Sequence, residues 1–284
     1  EVLSKKSWSE WKALAYKTAP PNDPDIKTAR KALARIALRN DPELLKNFQQ
    51  LNHDSNVDEA TGTYGHSQTT AMHYLMWGQK GERVGVDSAA SSFAKWKANA
   101  TVSADAAEVA AWCQSKHTTL IQDIQLPYPC DLKLHAHYGS AEIKAALGIS
   151  SINKTGPTGQ GVIHIEALKT YVHLITFCKD ERDFSPSTQY RDYPISRTKL
   201  HWESQSTISQ SSNTGQNYLN FKARKYTVLF FARVDKRQDG ETCPFVFLGP
   251  AKDLLDYEGN RPISMTWELD YPIPAELFES VRSV

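Results

Sequence analysis

The chain has 284 residues, 40% hydrophobic and 10% aromatic, which excludes the disordered class and leaves room for two domains of ordinary size. Thirty-three Lys and Arg stand against 32 Asp and Glu, a net charge of +1, so no global field steers the protein to a polyanion. No run reaches the ~18 apolar residues of a membrane span and no signal-peptide core opens the sequence, so the expectation is a cytoplasmic protein with no membrane partner.

Four separated cysteines (Cys113, Cys130, Cys178, Cys243) do not make a disulfide framework and are read as reduced thiols. The first residues, Glu1-Val2-Leu3, lack a Met, and the chain is read as a fragment of a longer protein.

Taken in order, the first part has a helical period. Residues 5–16 place Trp8, Trp11 and Ala15 at helical spacing. Residues 25–39 repeat Ile26, Ala29, Leu33, Ile36 and Ala37 as one apolar stripe. Asp41-Pro42 is a cap followed by proline at the first helical position, starting a helix through Leu51. Residues 53–65 read as a polar loop. Further helices are expected at 70–77, 87–98 and 103–116, with Trp77, Trp96 and Trp112 as packing residues.

Leu126-Pro127-Tyr128-Pro129 breaks the pattern and marks the expected boundary, giving domains of residues 1–126 and 127–284. A short helix at 140–147 should be capped by Ser140 and stopped by Gly148. The period then becomes two. Segments 161–166, 170–177, 199–205, 226–234, 244–248 and 262–270 read as strands. The last points Ile263, Met265, Trp267 and Leu269 one way and Ser264, Thr266, Glu268 and Asp270 the other. The expected class is α+β: an all-helical N-terminal connector, then a mainly-β domain in a closed or partly open barrel.

Phosphate-loop and phospholipase-D-type signatures are absent from the sequence. Asp131-Leu132-Lys133 and Glu142-Ile143-Lys144 match only the final element of a metal nuclease. Cys130, His135 and His137 lack a fourth zinc ligand at orthodox spacing, and Cys178 near His173 lacks an orienting acid. The tripeptides are read as chance matches and the cysteines and histidines as core or rim residues, so no catalytic residue, metal or cofactor is assigned to this chain.

The segment YRDYPISRTKLHWESQSTISQSSNTGQN, residues 190–217, differs. Rings and charges run into a tract of Ser, Gln, Thr and Asn that a hydrophobic core has no use for. Between residues 185 and 237 nine Lys and Arg face three acids, whereas from Asp253 onward seven acids face two arginines. Extruding a base costs a few kcal/mol, which stacking and hydrogen bonds to its edge recover. Tyr190, Tyr193, Trp202 and Phe184 supply rings, and Asp192 accepts from a cytosine amino group. Ser196, Arg197, Lys199, His201, Gln205, Ser206, Gln216, Lys222, Arg224, Lys225 and Arg191 are the expected DNA contacts.

Five blocks carry a resemblance: LKLHAHYGSAEIKAALG, FSPSTQYRDYPISRTKLHWESQS, SSNTGQNYLNF, FVFLGPAKDLLDYEG and RPISMTWELDYPIP. With them the chain resembles the C-terminal region of a bacterial family that joins a phospholipase-D-like nuclease, a superfamily-two helicase and a C-terminal domain. Some members are ATP-dependent, modification-dependent restriction enzymes of the SauUSI type, which cut DNA carrying 5-methylcytosine. The helical part, with ARIALRNDPELL and AMHYLMWG, looks like the family's connector. Asn217 stands where an Arg is common in the family.

The resemblance implies a non-catalytic target-recognition fragment whose partners are duplex DNA with a modified cytosine and the helicase and nuclease of the same parent chain. ATP and Mg²⁺ would belong to that motor. An SRA-like barrel with a flipped-base pocket and a B3-like barrel reading the duplex directly both stay open. Two other expectations compete: a structural or protein-interaction module coupling helicase to nuclease or making dimers, and a self-contained nuclease.

Overall fold

The computed structural model describes residues 2–51, 65–116, 120–157, 161–178, 192–238 and 241–282. Most of the polar segment expected as a loop at 53–65 therefore lies outside the described residues. The chain forms two compact units, Glu1–Pro157 with Asp239–Pro244, and Thr158–Gln238 with Phe245–Val284.

The first unit contains α1 (Val2–Lys5), α2 (Trp8–Tyr16), α3 (Ile26–Ala37), α4 (Pro42–Gln50), α5 (His66–Trp77), α6 (Gly81–Val84), α7 (Ala89–Lys97), α8 (Ala100–Lys116) and α9 (Ser140–Ala146). Short strands β1 (Gln122–Asp123), β2 (Lys133–Leu134) and β3 (His137–Tyr138) precede α9. Local signals explain several starts. Ser7 and Glu10 close a reciprocal capping box on α2, and the Asp41 carboxylate accepts from Glu43 and Leu44 at the head of α4. The α3 stripe buries Ala29, Leu33 and Ile36 against Leu44, Phe48, Met72, Leu75, Phe93 and Val109. Trp77 and Trp96 meet edge to face at 5.5 Å, whereas Trp112 is 50% exposed and is not a packing residue.

This unit runs past the Leu126–Pro129 break, because residues 133–146 are bonded into it. The Tyr138 hydroxyl donates to Asp41 at 2.6 Å, and Arg39 grips Glu142 through two hydrogen bonds of 2.5 and 3.0 Å. Glu142 also accepts from the Gly139 N–H at 3.0 Å. The cap of α9 is thus Gly139, one residue earlier than Ser140, and a carboxylate three residues on satisfies it.

The second unit contains β4 (Val162–Ile165), β5 (Thr170–Cys178), β6 (Tyr193–Ser196), β7 (Lys199–Glu203), α10 (Asn213–Leu219), β8 (Thr227–Asp235), the short β9 (Arg237–Gln238), β11 (Phe245–Glu258), β12 (Ser264–Leu269) and α11 (Ala275–Arg282). The short β10 (Glu241–Thr242) falls in the first unit. Seven strands run in the order β4-β5-β8-β11-β12-β7-β6, with β5 and β8 parallel and the other neighbours antiparallel. Among the described residues β4 and β6 end this path, so the sheet is open and the expected closure into a barrel is not made.

The period-two reading of β12 holds: Met265, Trp267 and Leu269 are buried while Ser264, Thr266 and Glu268 are partly exposed. β11 continues ten residues beyond the expected end at Leu248. Three register shifts bend it, one at Gly249 with φ 87°, so a single strand pairs with β8 and then with β12. One face of the sheet, with α10, encloses Tyr171, Leu200, Trp202, Tyr218, Phe230, Leu248 and Trp267. The architecture is α+β, and among the described residues no helix is long and apolar enough to cross a membrane.

Candidate nucleic-acid interface

The β6–β7 hairpin carries the aromatic start of the unusual segment. Side chains alternate across a strand, so Lys199, His201 and Glu203 leave one face of β7 while Leu200 and Trp202 enter the other. Pairing extends both sets: His201 lies opposite Thr266 and Tyr193, and Trp202 opposite Met265. Tyr193 is 47% exposed and stacks on His201 with ring centroids 4.7 Å apart and planes at 22°. Arg197 and Thr198 form the turn between the strands. The Arg197 Nε donates to the Ile273 carbonyl at 2.8 Å, which fixes the stem of an exposed side chain. An outward platform of two rings with Arg197 and Lys199 beside it follows from register alone.

Trp202 does not join that platform. It is 4% exposed and stacks on His173 at 4.0 Å, with Tyr218 edge-on at 5.4 Å. The expected pocket with Tyr193 and Trp202 on one base is not formed, because the residue paired with Tyr193 is His201, whose side chain is on the face opposite Trp202. Asp192 is half-buried and one carboxylate oxygen accepts from the Glu203 N–H at 3.1 Å, tying down the open end of the hairpin. Phe184, Tyr190 and Arg191 lie outside the described residues.

The polar tract is folded. Ser204 is buried and accepts from the Ile263 N–H at 2.9 Å. Ser212 caps α10 by accepting from Gly215 at 3.1 Å, and a β-carbon on Gly215 would stand 2.0 Å from the Ser209 carbonyl oxygen. Gln210 accepts from Gln216 at 2.8 Å and reaches across to Gly259 and Asn260. These residues satisfy one another, so the tract is not a free strand available to a groove. Ser206 is exposed, and Gln205 is half-buried with its Oε1 enclosed and without a hydrogen-bond partner among the described residues. Ser196 accepts from the Thr198 N–H at 3.2 Å within the hairpin turn.

Beyond α10, Lys222 is paired with Asp253 at 2.8 Å, Arg224 bonds Asn213 and Asn217 at 3.0 and 2.7 Å, and Lys225 is exposed. Asn217 is buried and donates to the Tyr171 hydroxyl at 2.9 Å. Its side chain points into the unit, so this position is no phosphate contact in this chain, and Arg224 is the cation it holds.

One feature escaped the sequence reading, and His173, read there as a core or rim residue beside Cys178, is more enclosed than that reading required. His164 lies flat on Tyr171 at 4.3 Å and pairs with Glu166 at 3.0 Å, and the Tyr226 hydroxyl donates to the same carboxylate. His173 is wholly buried among Trp202, Tyr218, Phe230 and Trp267, and neither ring nitrogen has a hydrogen-bond partner among the described residues. Burial alone pushes its pKa down to about 3, so the imidazole is neutral. The period-two run Tyr171, His173, Ile175 was the available signal.

The remaining candidates have structural partners. Cys130 donates to the Ala146 carbonyl, and burial pushes its thiol up to about 11. Burial, with Asp235 nearby, also raises the Cys178 thiol. Lys133 is paired with Asp123 and Glu43, and Glu142 with Arg39. Among the described residues no three His, Cys, Asp or Glu side chains converge on a metal position.

No curated protein matches the chain. A family model described as "Domain of unknown function (DUF3427)" matches residues 132–281, just over half of the sequence, and on that match the chain belongs to the DUF3427 family.

Proposed function

We propose that the sheet-bearing unit is the target-recognition part of a modification-dependent restriction protein and binds duplex DNA containing 5-methylcytosine. The observation that carries the reading is the exposed Tyr193–His201 stack flanked by Arg197 and Lys199 on one hairpin. A ring platform stacks on a base at ~1–3 kcal/mol and tolerates any base, while neighbouring cations hold the phosphates. The five-block resemblance supplies the modified cytosine as target, and an SRA-like or B3-like fold is the finer assignment that goes with it. In this reading Tyr193, not Trp202, meets the base, and Asp192 orders the hairpin as well as facing the base edge. The chain itself is non-catalytic; ATP and Mg²⁺ serve the helicase and nuclease of the parent protein.

Duplexes of one sequence, with and without 5-methylcytosine, titrated onto the chain test this. The methylated duplex should bind more tightly, and Asp192→Ala should lose that preference more than it loses overall affinity. Equal affinities at physiological salt overturn it.

A second reading has its own observation. Among the described residues β6 ends the sheet path and shows Ile195 at 48% exposure beside Tyr193, an edge that suits a protein partner or a second copy. It predicts self-association and no duplex binding.

A further inference from the structure

The helical unit carries a concave site that the reading above does not use. A cavity of about 230 Å³ is lined by Asp25, Lys31, Arg35, Trp77, Gln79 and Lys95, among others. Lys31 and Arg35 stand four residues apart on one stripe of α3, Asp25 is the residue that precedes this helix, and Trp77 and Lys95 come from the end of α5 and from α7.

Two of the three cations are held in place by the fold. The Arg35 Nε and one terminal nitrogen donate to the Leu75 and Met76 carbonyls, both at 2.8 Å, closing the end of α5. Gly78 follows with φ 66°, and a β-carbon there would lie 3.0 Å from the other Arg35 terminal nitrogen. Glycine at this turn therefore leaves that nitrogen room. The Lys95 ammonium donates to the Val84 carbonyl and sits 5.7 Å from the centre of the Trp77 ring.

The lining of this site sets three cations against one carboxylate. In the same unit Lys12, Arg30, Arg39, Lys80 and Lys133 each have a carboxylate within 4.0 Å, whereas among the described residues the exposed Lys17, Lys27 and Lys46 have none. Among the described residues Lys31, Arg35 and Lys95 have none, and Asp25 is the one carboxylate in the lining. Burial, and then repulsion from Arg39, hold Arg35 down at about 10. A bound anion would offset both by favouring the charged guanidinium, as Glu142 and Glu241 already do more weakly.

We infer that this cavity is an anion site that takes a single phosphoryl group, with Arg35 as the fixed donor and Lys31 and Lys95 closing on it. The volume is below the ~300–1,000 Å³ typical of sites for drug-sized ligands, which suits one phosphoryl group and not a whole nucleotide. A planar guanidinium beside two ammonium groups matches tetrahedral oxygens. The phosphoryl group can come from a free phosphate ester or from the backbone of DNA, and the chemistry at the site is the same.

The test uses the whole 284-residue chain, inorganic phosphate at constant ionic strength, and an unmodified duplex. Arg35 also closes α5, so the informative variants are Lys31→Glu and Lys31→Gln on an exposed side chain. Phosphate should raise the melting temperature of the wild type. Lys31→Glu should weaken phosphate binding about tenfold or more, from a change of two charges at ~1 kcal/mol per charge pair at contact in water, with Lys31→Gln between the two. If the unmodified duplex also loses affinity in these variants, the source is the DNA backbone; if only phosphate binding is lost, it is a free ester. Wild type that takes neither ligand, or folded variants that bind both as the wild type does, overturns the site. None of these outcomes depends on cytosine methylation, so a failure of methyl discrimination leaves this site standing.

Discussion

His173 shows how one residue ties stability to pH. Its imidazole is enclosed by four rings and neither nitrogen is bonded among the described residues, so protonation in the folded state would bury an unpaired charge. The folded pKa near 3 lies below the unfolded value of ~6.5. Between those values the unfolded chain binds the extra proton, so stability is fully present above ~6.5 and is lost as pH falls toward 3, at ~1.4 kcal/mol per pH unit. His73 in the helical unit is shifted downward by burial too, so the wild-type slope alone does not isolate His173. Glu10, which Arg30 holds near 2, titrates lower still. Urea unfolding at pH 7, 6 and 5 should therefore show a shallower slope in His173→Phe than in wild type, and higher stability at pH 5. An unchanged slope would mean that His173 finds a partner or water in the folded state.

At the scale of elements, the β6–β7 hairpin separates what alternation reveals from what only register can. Period two announced β12 and β7 because each buries every second residue. It could not say that Tyr193 is paired with His201 and hence turned away from Trp202, since that register is set by the turn and by a shift between Pro194 and Ser196. α10 was illegible for a different reason. Ser, Asn, Thr and Gly are weak helix formers, and this helix exists through the Ser212 cap and the close approach of Gly215 to Ser209. The far half of β11 was hidden by Gly249-Pro250 and by bulges that break the period. Register makes a test of the hairpin. Trp202→Ala should cost about 3–5 kcal/mol in urea unfolding, as a large buried ring does. Tyr193→Ala should cost less than about 1.5 kcal/mol, the scale of one aromatic contact, while weakening duplex binding by ~1–3 kcal/mol. Tyr193→Ala that unfolds the protein, or binds duplex as the wild type does, would remove the platform from the interface.

For the whole molecule, a net charge of +1 means that attraction to DNA must come from local groups. The sequence segregates a basic segment from an acidic C-terminal part, but the fold brings some of each together. Lys222 of the basic segment meets Asp253 of the acidic part at 2.8 Å. A lysine already paired on the protein must give up that partner to neutralise a phosphate, so it releases fewer counterions on balance. Arg197, Lys199 and Lys225 are exposed and have no carboxylate partner among the described residues. Each neutralised phosphate contributes ~0.9 to the slope of log affinity against log salt. Lys199→Gln should therefore reduce that slope by about 0.9 on methylated and unmodified duplexes alike. Lys222→Gln should change it much less, despite lying in the same basic segment, because its charge is spent on Asp253. Fluorescence titrations over a series of salt concentrations give both slopes. Equal reductions would show that the ion pair opens on DNA and that the basic segment acts as one surface; no reduction for Lys199→Gln would take the hairpin off the phosphate backbone.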